Sequence, residues 1–313
     1  MKVAVLIPCY NEELTVEKVV TDFKKELPNA DVYVYDNNST DKTSELALKA
    51  GAIVRKETEQ GKGNVCRSMF RDIDADVYVM VDGDDTYPAE EVHKLIKAVT
   101  ERGADMVIGD RLSNGTYASE NKRGFHNLGN NLVRLLINKI FHNDINDIMT
   151  GYRAFSEKFV KTNAIMSPGF QIETELTITT LVYRYKVEEI PIVYRDRPKG
   201  SKSKLNTFSD GFKVLITLFD LYKDYRPLFF FGLISLVSLT LGLIVGIPVI
   251  SEFIKTSFVS KIPSAILASA FIVIALLFIV LGIVLDHNSN IDKRNHEIMV
   301  NNWLYFKNIN KVK

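Results

Sequence analysis

The residues best suited to chemistry form a short acidic run, Asp82-Gly83-Asp84-Asp85-Thr86, directly after the apolar stretch Val77-Tyr78-Val79-Met80-Val81. Carboxylates at i and i+2 just past a strand converge on one hard cation, and Gly83 lets the backbone turn tightly. Mg2+ or Mn2+ held this way keeps positions for water and phosphate oxygens, which is the charge sink a departing diphosphate needs. The plainer alternative is an acidic turn with no ligand. A second cluster, Asp36-Asn37-Asn38-Ser39-Thr40-Asp41, ends one run and opens another. Helix capping through Lys42 accounts for Thr40 and Asp41. It leaves Asp36 over, placed to accept hydrogen bonds from a base or a ribose. Gly61-Lys62-Gly63-Asn64 lacks the spacing of a P-loop. Lys62 at a helix start either meets nucleotide phosphates or marks an ordinary turn.

The elements that must position these clusters can be traced by period. Strands are expected at Val3–Ile7, Val32–Tyr35, Ala52–Arg55, Val77–Val81 and Met106–Ile108. Helical spacing fills Glu13–Leu27, Lys42–Lys49, Asn64–Ile73 and Ala89–Arg102 between them. Alternation of near-continuous apolar strands with amphipathic helices predicts an α/β fold with a mostly parallel sheet covered on both faces. Such sheets bind ligands beyond the carboxyl ends of their strands, where the polar clusters fall.

Taken together, the motifs resemble family 2 glycosyltransferases of the GT-A (Rossmann-like) fold, most closely the polyprenyl-phosphate glycosyltransferases that include dolichol-phosphate mannose synthase. The resemblance is carried by Ile7-Pro8-Cys9-Tyr10-Asn11-Glu12-Glu13, the stretches at 36–43 and 61–64, and Asp82 to Pro88. It continues through Gly109-Asp110-Arg111, Met149-Thr150-Gly151-Tyr152-Arg153-Ala154-Phe155 and Phe170-Gln171-Ile172-Glu173, so that it covers about residues 1–205. It implies transfer of a hexose from a UDP- or GDP-sugar to polyprenyl or dolichyl phosphate with inversion. Pro8, Tyr10, Glu12 and Asp36 fall where the family grips the nucleoside, and Asp82 and Asp84 match its metal-binding Asp-x-Asp. Gln171 and Lys62 fall with the donor-binding residues. Many relatives carry Gln as a further metal ligand where this chain has Thr86, so Thr86, Asp85 or water would complete the set. Arg111 and Arg123 match positions that hold the lipid phosphate. Asp147, Tyr152 and Arg153 match the acceptor side, with Asp147 either a base or, preferably, an orienter of Arg153.

The chemistry of the acceptor agrees. A polyprenyl phosphate is already anionic, so it needs little or no base. Its difficulty is approach to a diphosphate of the same sign, which arginines relieve by bidentate contact. The basic stretch from Arg195 to Lys204 closes over the diphosphate, touches anionic headgroups or is a solvated linker. A processive polysaccharide synthase would carry Gln-x-x-Arg-Trp, whereas the single tryptophan, Trp303, follows Asn301-Asn302.

Formal net charge is +1, so no global field favours nucleic acid. Cys9 and Cys66 are too few for a disulfide framework, consistent with a reducing compartment. Charged residues are absent from Pro227 to Ser251 and from Ile262 to Leu285, runs of 25 and 24 positions. Each is long enough to cross a hydrocarbon core of roughly 30 Å as a helix. The expected organisation is a catalytic domain at 1–205, a juxtamembrane amphipathic helix at 206–226, a membrane hairpin at 227–285 (227–251 and 262–285) and a tail at 286–313. Phe208, Phe212, Leu215, Phe219 and Tyr222 recur at helical spacing, which suits a helix in the headgroup zone or one packed on the soluble domain. Lysines and arginines flank the hairpin at its outer ends, with only Lys255 and Lys261 in its turn. That bias predicts a multi-pass protein of the cell or an endoplasmic-type membrane, with the catalytic domain and tail in the cytosol. Gly232, Gly242 and Gly246 would permit packing against further copies as a homo-oligomer.

Overall fold

The structure, a computed structural model, describes residues 1–113, 134–139, 141, 143–198, 200, 216, 219–220 and 222–312. Arg123, Lys204 and the stripe residues Phe208, Phe212 and Leu215 lie outside these residues.

All five expected strands form: β1 (Val3–Cys9), β2 (Asp31–Asp36), β3 (Ile53–Lys56), β4 (Val77–Met80) and β5 (Met106–Asp110). The helices between them are α1 (Val16–Glu26), α2 (Thr43–Lys49), α3 (Lys62–Asp72) and α4 (Val92–Thr100). Sequence periodicity had not marked β6 (Arg153–Ser156), α5 (Glu157–Thr162), α6 (Ile172–Val182) or β7 (Val187–Pro191). These pieces are short, and α6 is buried along nearly its whole length, so neither carries a two-sided pattern.

The seven strands lie in the order β3-β2-β1-β4-β6-β5-β7. Every pairing is parallel except those of β6, which runs antiparallel to both β4 and β5. This reversal matters for the site. Met80 at the end of β4 pairs with Arg153 at the start of β6, so residues leading into β6 emerge beside the carboxyl ends of β4 and β5. The outer strands carry Arg55-Lys56 on β3 and Glu188-Glu189 with Pro191 on β7, charges and a proline that discourage further pairing.

One face of the sheet is covered by α1 and α4, whose Val16, Val20, Phe23, Val92 and Leu95 bury against Val5, Ile7 and Val79. On the other, Phe70 of α3 meets Phe155 edge to face at 5.4 Å, and Phe155 stacks on Phe159 of α5 at 5.2 Å.

The chain divides into two compact units, residues 1–218 with 296–313, and residues 219–295. The second holds α7 (Pro227–Thr256) and most of α8 (Ile262–Val312). Both are long and apolar enough to cross a membrane, and only 11% and 17% of their most apolar windows is buried. A core helix of a soluble protein would be covered. Within this unit a Cβ on Gly242 would lie 3.3 Å from Ala268 O, and one on Gly246 3.2 Å from Ala268 Cβ. Two of the three glycines expected at an interface between copies are therefore spent in packing the hairpin itself, and only Gly232 faces open space. Ser235 Oγ donates to Ala275 O at 2.7 Å, the polar link of the same seam.

The second apolar run does not end its helix at Leu285. Residues 286–312 contain no proline or glycine, so α8 continues to Val312. Its last part belongs to the first unit. There His296 is buried, stacked on Tyr183 with ring centroids 3.8 Å apart. Its Nε2 lies 3.1 Å from the Thr162 carbonyl, which can only accept, so Nε2 carries the proton. The same nitrogen is 2.9 Å from Tyr185 Oη. Lys307 pairs with Glu157 and sits over the Trp303 ring, 4.8 Å from its centroid.

Candidate active site

Three loops at the carboxyl ends of β1, β2 and β4 each contain one non-glycine residue with positive φ: Asn11 at 53°, Asn38 at 64° and Asp85 at 60°. Asn and Asp tolerate this left-handed region best, and its concentration here marks loops held in fixed shapes by their neighbours. Asn11 N donates to Ser39 Oγ at 2.9 Å and Asn11 Oδ1 accepts from Thr40 N at 2.8 Å. Glu12 N donates to Thr43 Oγ1 at 2.8 Å, completing the stitch between the first two loops. Glu12 is buried, Tyr10 is 39% exposed, and Pro8 lies between them in burial.

Asp36 differs from its expected isolation. Its carboxylate accepts from Ser39 N at 2.9 Å and Ser44 Oγ at 2.5 Å, so local turn and helix bonds do account for it. Asn37 anchors the next loop, accepting from Gly61 N at 2.7 Å and donating to the Glu57 and Glu59 carbonyls. Gly63 is pressed against the segment before α6, where a Cβ would fall 1.8 Å from Ser167 O. Glu175 holds that segment by accepting from Met166 N and Ser167 N, both at 2.8 Å.

The acidic run sits at the centre. Lys62 Nζ lies 2.5 Å from Asp82 Oδ1 and 2.5 Å from Glu173 Oε1, with all three side chains largely buried. Burial works against the ammonium charge, but Asp82 and Glu173 outweigh it and hold Lys62 well above its usual range. Arg197 Nη2 lies 2.5 Å from Asp84 Oδ2. Burial, with Asp82 beside it, raises the Asp84 carboxyl, while Arg197 and Thr86 pull it down. Thr86 donates its hydroxyl to Asp84 Oδ1 at 2.6 Å, and Asp85 turns outward to Lys18 at 2.7 Å. Thr86 thus shapes Asp84, and Asp85 faces away from the other two acids.

These residues fit a divalent cation of the Mg2+ or Mn2+ type. Each of the two acids already has a cationic nitrogen at 2.5 Å standing where a cation's charge is needed. No group of three or more His, Cys, Asp or Glu side chains suited to a metal occurs among the described residues. Two carboxylates with the balance made up by phosphate oxygens and water is the usual arrangement for magnesium at a phosphate site.

Arg111, directly after β5, faces the other side of the same strand ends. Asp147 grips it twice, Oδ2 to Nε at 2.7 Å and Oδ1 to Nη2 at 2.8 Å, and also accepts from Arg111 N at 3.1 Å. Asp147 therefore orients Arg111 and not Arg153. Glu189 supports it in turn, accepting from Asn146 N at 2.9 Å and Asp147 N at 3.0 Å. Arg153 is wholly buried and donates to the Ile148 and Thr150 carbonyls and to Thr177 Oγ1. Burial lowers it to about 10, so it stays charged at neutral pH, holding the 148–150 backbone from below. Tyr152 is also fully buried, edge-on to Phe23 at 6.1 Å. The pair placed on the acceptor side by resemblance is thus the floor under it, because Arg153 begins an internal strand and both side chains point into the core.

The acidic run and the Arg111 side share two tyrosines. Tyr87 Oη accepts from Gly151 N at 3.1 Å, and its ring meets Tyr194 edge to face at 5.7 Å. Arg111 lies over the Tyr194 ring, 5.6 Å from the centroid. Gly151 fits directly against Asp82, since a Cβ there would be 2.3 Å from Asp82 Oδ2. At the start of α6, Gln171 Oε1 finds no hydrogen-bond partner among the described residues. Sequence reasoning had not singled out Glu173, Tyr87, Arg197 or Glu189. The first three sit inside motifs already noticed; Glu189 carried no signal, being one acid in an ordinary edge strand.

Comparison with known proteins agrees with this geometry. The profile of Glycosyl transferase family 2 matches residues 4–163. Glycosyltransferase AglJ of Haloferax volcanii is 34% identical over 285 residues, covering 91% of this chain and 92% of the relative. The dolichyl-phosphate hexose transferase of the same organism is 30% identical, covering 66% of this chain and 88% of the relative. Glucosyl-3-phosphoglycerate synthase from Mycobacterium tuberculosis, solved with Mn2+, UDP and glucosyl-3-phosphoglycerate, superimposes with a TM-score of 0.59 at 21% identity, covering 70% of this chain and 79% of that one. The chain belongs to glycosyl transferase family 2 and is a glycosyltransferase with a GT-A fold.

Proposed function

We propose that the protein transfers a hexose from a UDP- or GDP-sugar to a polyprenyl or dolichyl phosphate at a membrane surface, inverting the anomeric carbon. The observation that carries this is the pairing of two carboxylates at the end of β4, Asp84 buried and Asp82 partly so, with an anchored arginine at the end of β5, joined through Tyr87 and Tyr194. Relatives named for dolichyl phosphate and undecaprenyl phosphate support the acceptor class.

In this reading Pro8, Tyr10, Glu12 and Asp36 line the nucleoside end, and Gln171 belongs with the donor-binding residues. Asp82 and Asp84 would hold Mg2+ or Mn2+, which supplies positive charge to the leaving diphosphate. Lys62 keeps Asp82 in place and stays charged through Glu173. Arg111, fixed by Asp147, receives the acceptor phosphate and brings one phosphate oxygen to the sugar C1. The C1–O bond to the diphosphate breaks as the new one forms, and no proton need move because the nucleophile is already an anion. Arg153 acts by positioning the 148–150 backbone. Arg123, outside the described residues, is assigned to the acceptor phosphate by the family resemblance, and Lys204, also outside them, to the donor diphosphate as part of the basic stretch from Arg195. The flanking positive charges of the hairpin support a cytosolic active site and two membrane crossings.

The test is a transfer assay on the full chain in detergent with Mn2+ or Mg2+, a short polyprenyl phosphate and labelled UDP- and GDP-sugars. Label passing into the lipid phase with one donor is the expected result. A nucleotide bound in a metal-dependent way, with no lipid product from any donor, would move the acceptor to another class.

A further inference from the structure

After β7 the chain forms a strap, Ile192 to Arg197, that crosses from the acceptor side to the metal-binding acids. Ile192 N donates to Asp110 O and Arg195 N to Thr86 O, both at 2.9 Å. Tyr194 anchors its middle against Tyr87 and under Arg111. The strap delivers Arg197 to Asp84, whose side chain is 6% exposed, while that of Arg197 is 28% exposed. A buried carboxylate without a counter-charge is costly, so something cationic must stand there whenever a metal does not.

We propose that Arg197 is the built-in counter-cation of the metal site, competing with the divalent ion for Asp84 and leaving it when metal and nucleoside diphosphate arrive together. The inference rests on the metal-dependent reading above. Lys62 serves Asp82 and Glu173 from a buried position, with its side chain only 9% exposed. Arg197 sits on the more exposed strap and can move away into water. A metal ion arriving alone must displace the guanidinium from Asp84. Arriving with a diphosphate, it brings an anion that the displaced arginine can meet. Metal and nucleotide should therefore bind with positive coupling, and part of that coupling should reside in Arg197.

The measurement is Mn2+ binding to the full chain in detergent, followed by electron paramagnetic resonance of free Mn2+, with and without saturating UDP or GDP. Arg197→Gln should bind Mn2+ alone about tenfold more tightly than the unaltered protein and show correspondingly weaker coupling to the nucleotide, within the usual range of linkage between sites. Arg197→Lys should restore most of the competition. Arg195→Gln, on the same strap but 3.4 Å from the exposed Glu90, should leave Mn2+ affinity unchanged. Unchanged or weaker Mn2+ binding in Arg197→Gln, while the unaltered protein binds metal and nucleotide together, overturns this inference and leaves the metal site standing. An unaltered protein that binds no Mn2+ even with UDP and GDP overturns the donor-site reading itself.

Discussion

Asp84 and Asp147 are both buried acids, yet their surroundings give them different work. Asp84 has an exchangeable partner on a surface strap, whereas Asp147 is locked to Arg111 through three hydrogen bonds and backed by Glu189. Asp84→Ala should lower transfer about a thousandfold, the scale of losing a preorganised charge at the leaving group, with the melting temperature little changed. Full activity in that variant under excess chelator would rule out the metal role. Asp147→Ala should instead destabilise the protein by about 3 kcal/mol, because it breaks a buried, bidentate ion pair; denaturant unfolding measures it. Arg111→Ala should raise the KM for polyprenyl phosphate far more than that for the nucleotide sugar. Equal shifts would place Arg111 outside the acceptor site.

Among the elements, β6 does most to assemble the site. Running against its neighbours, it carries the 147–152 segment to the strand ends that hold Asp82 and Arg111. The glycine of that segment leaves no space for a side chain beside Asp82. Gly151→Ala should push Asp82 aside by an ångström or so and lower kcat about a hundredfold, the usual cost of that misplacement. Comparable loss of secondary structure by circular dichroism would show instead that the change had unfolded β6. The GKGN turn is governed by the same close packing, with Gly63 against Ser167 and Glu175 holding the facing backbone.

For the whole molecule, α8 continues past the apolar run, and its residues from His296 onward belong to the catalytic unit. His296 fastens that segment to Tyr183, Tyr185 and Thr162 of the catalytic unit. His296→Ala removes a buried ring, its stacking and its hydrogen bonds, and should cost about 2 kcal/mol. The readout is faster proteolytic removal of residues after 296 together with a lower melting temperature. A tail that resists protease as well as before would show that Lys307 and Glu157 suffice to hold it.

The strands with continuous apolar runs, the acidic turn after β4 and the two uncharged helices were legible because each is written in neighbouring residues whose period or composition is one-sided. Asp82 and Asp84 could be chosen for the same reason, being two residues apart. Partnership across the chain could not. Asp147 lies 36 residues from Arg111 and only 6 from Arg153, and local order favoured the wrong arginine. Antiparallel pairing of β6 decided the matter by burying Arg153 in the sheet and leaving Asp147 at its edge. Folding likewise brought Lys62, Glu173 and Arg197 onto the acidic pair and His296 onto Tyr183, because burial leaves a charge or ring few partners and distance in sequence does not limit them. By itself the sequence determined the family, the strand order's raw material and two helices apolar and long enough to cross a membrane. Tertiary structure alone decided which charge neutralises which, since that depends on close approach in a low-dielectric interior.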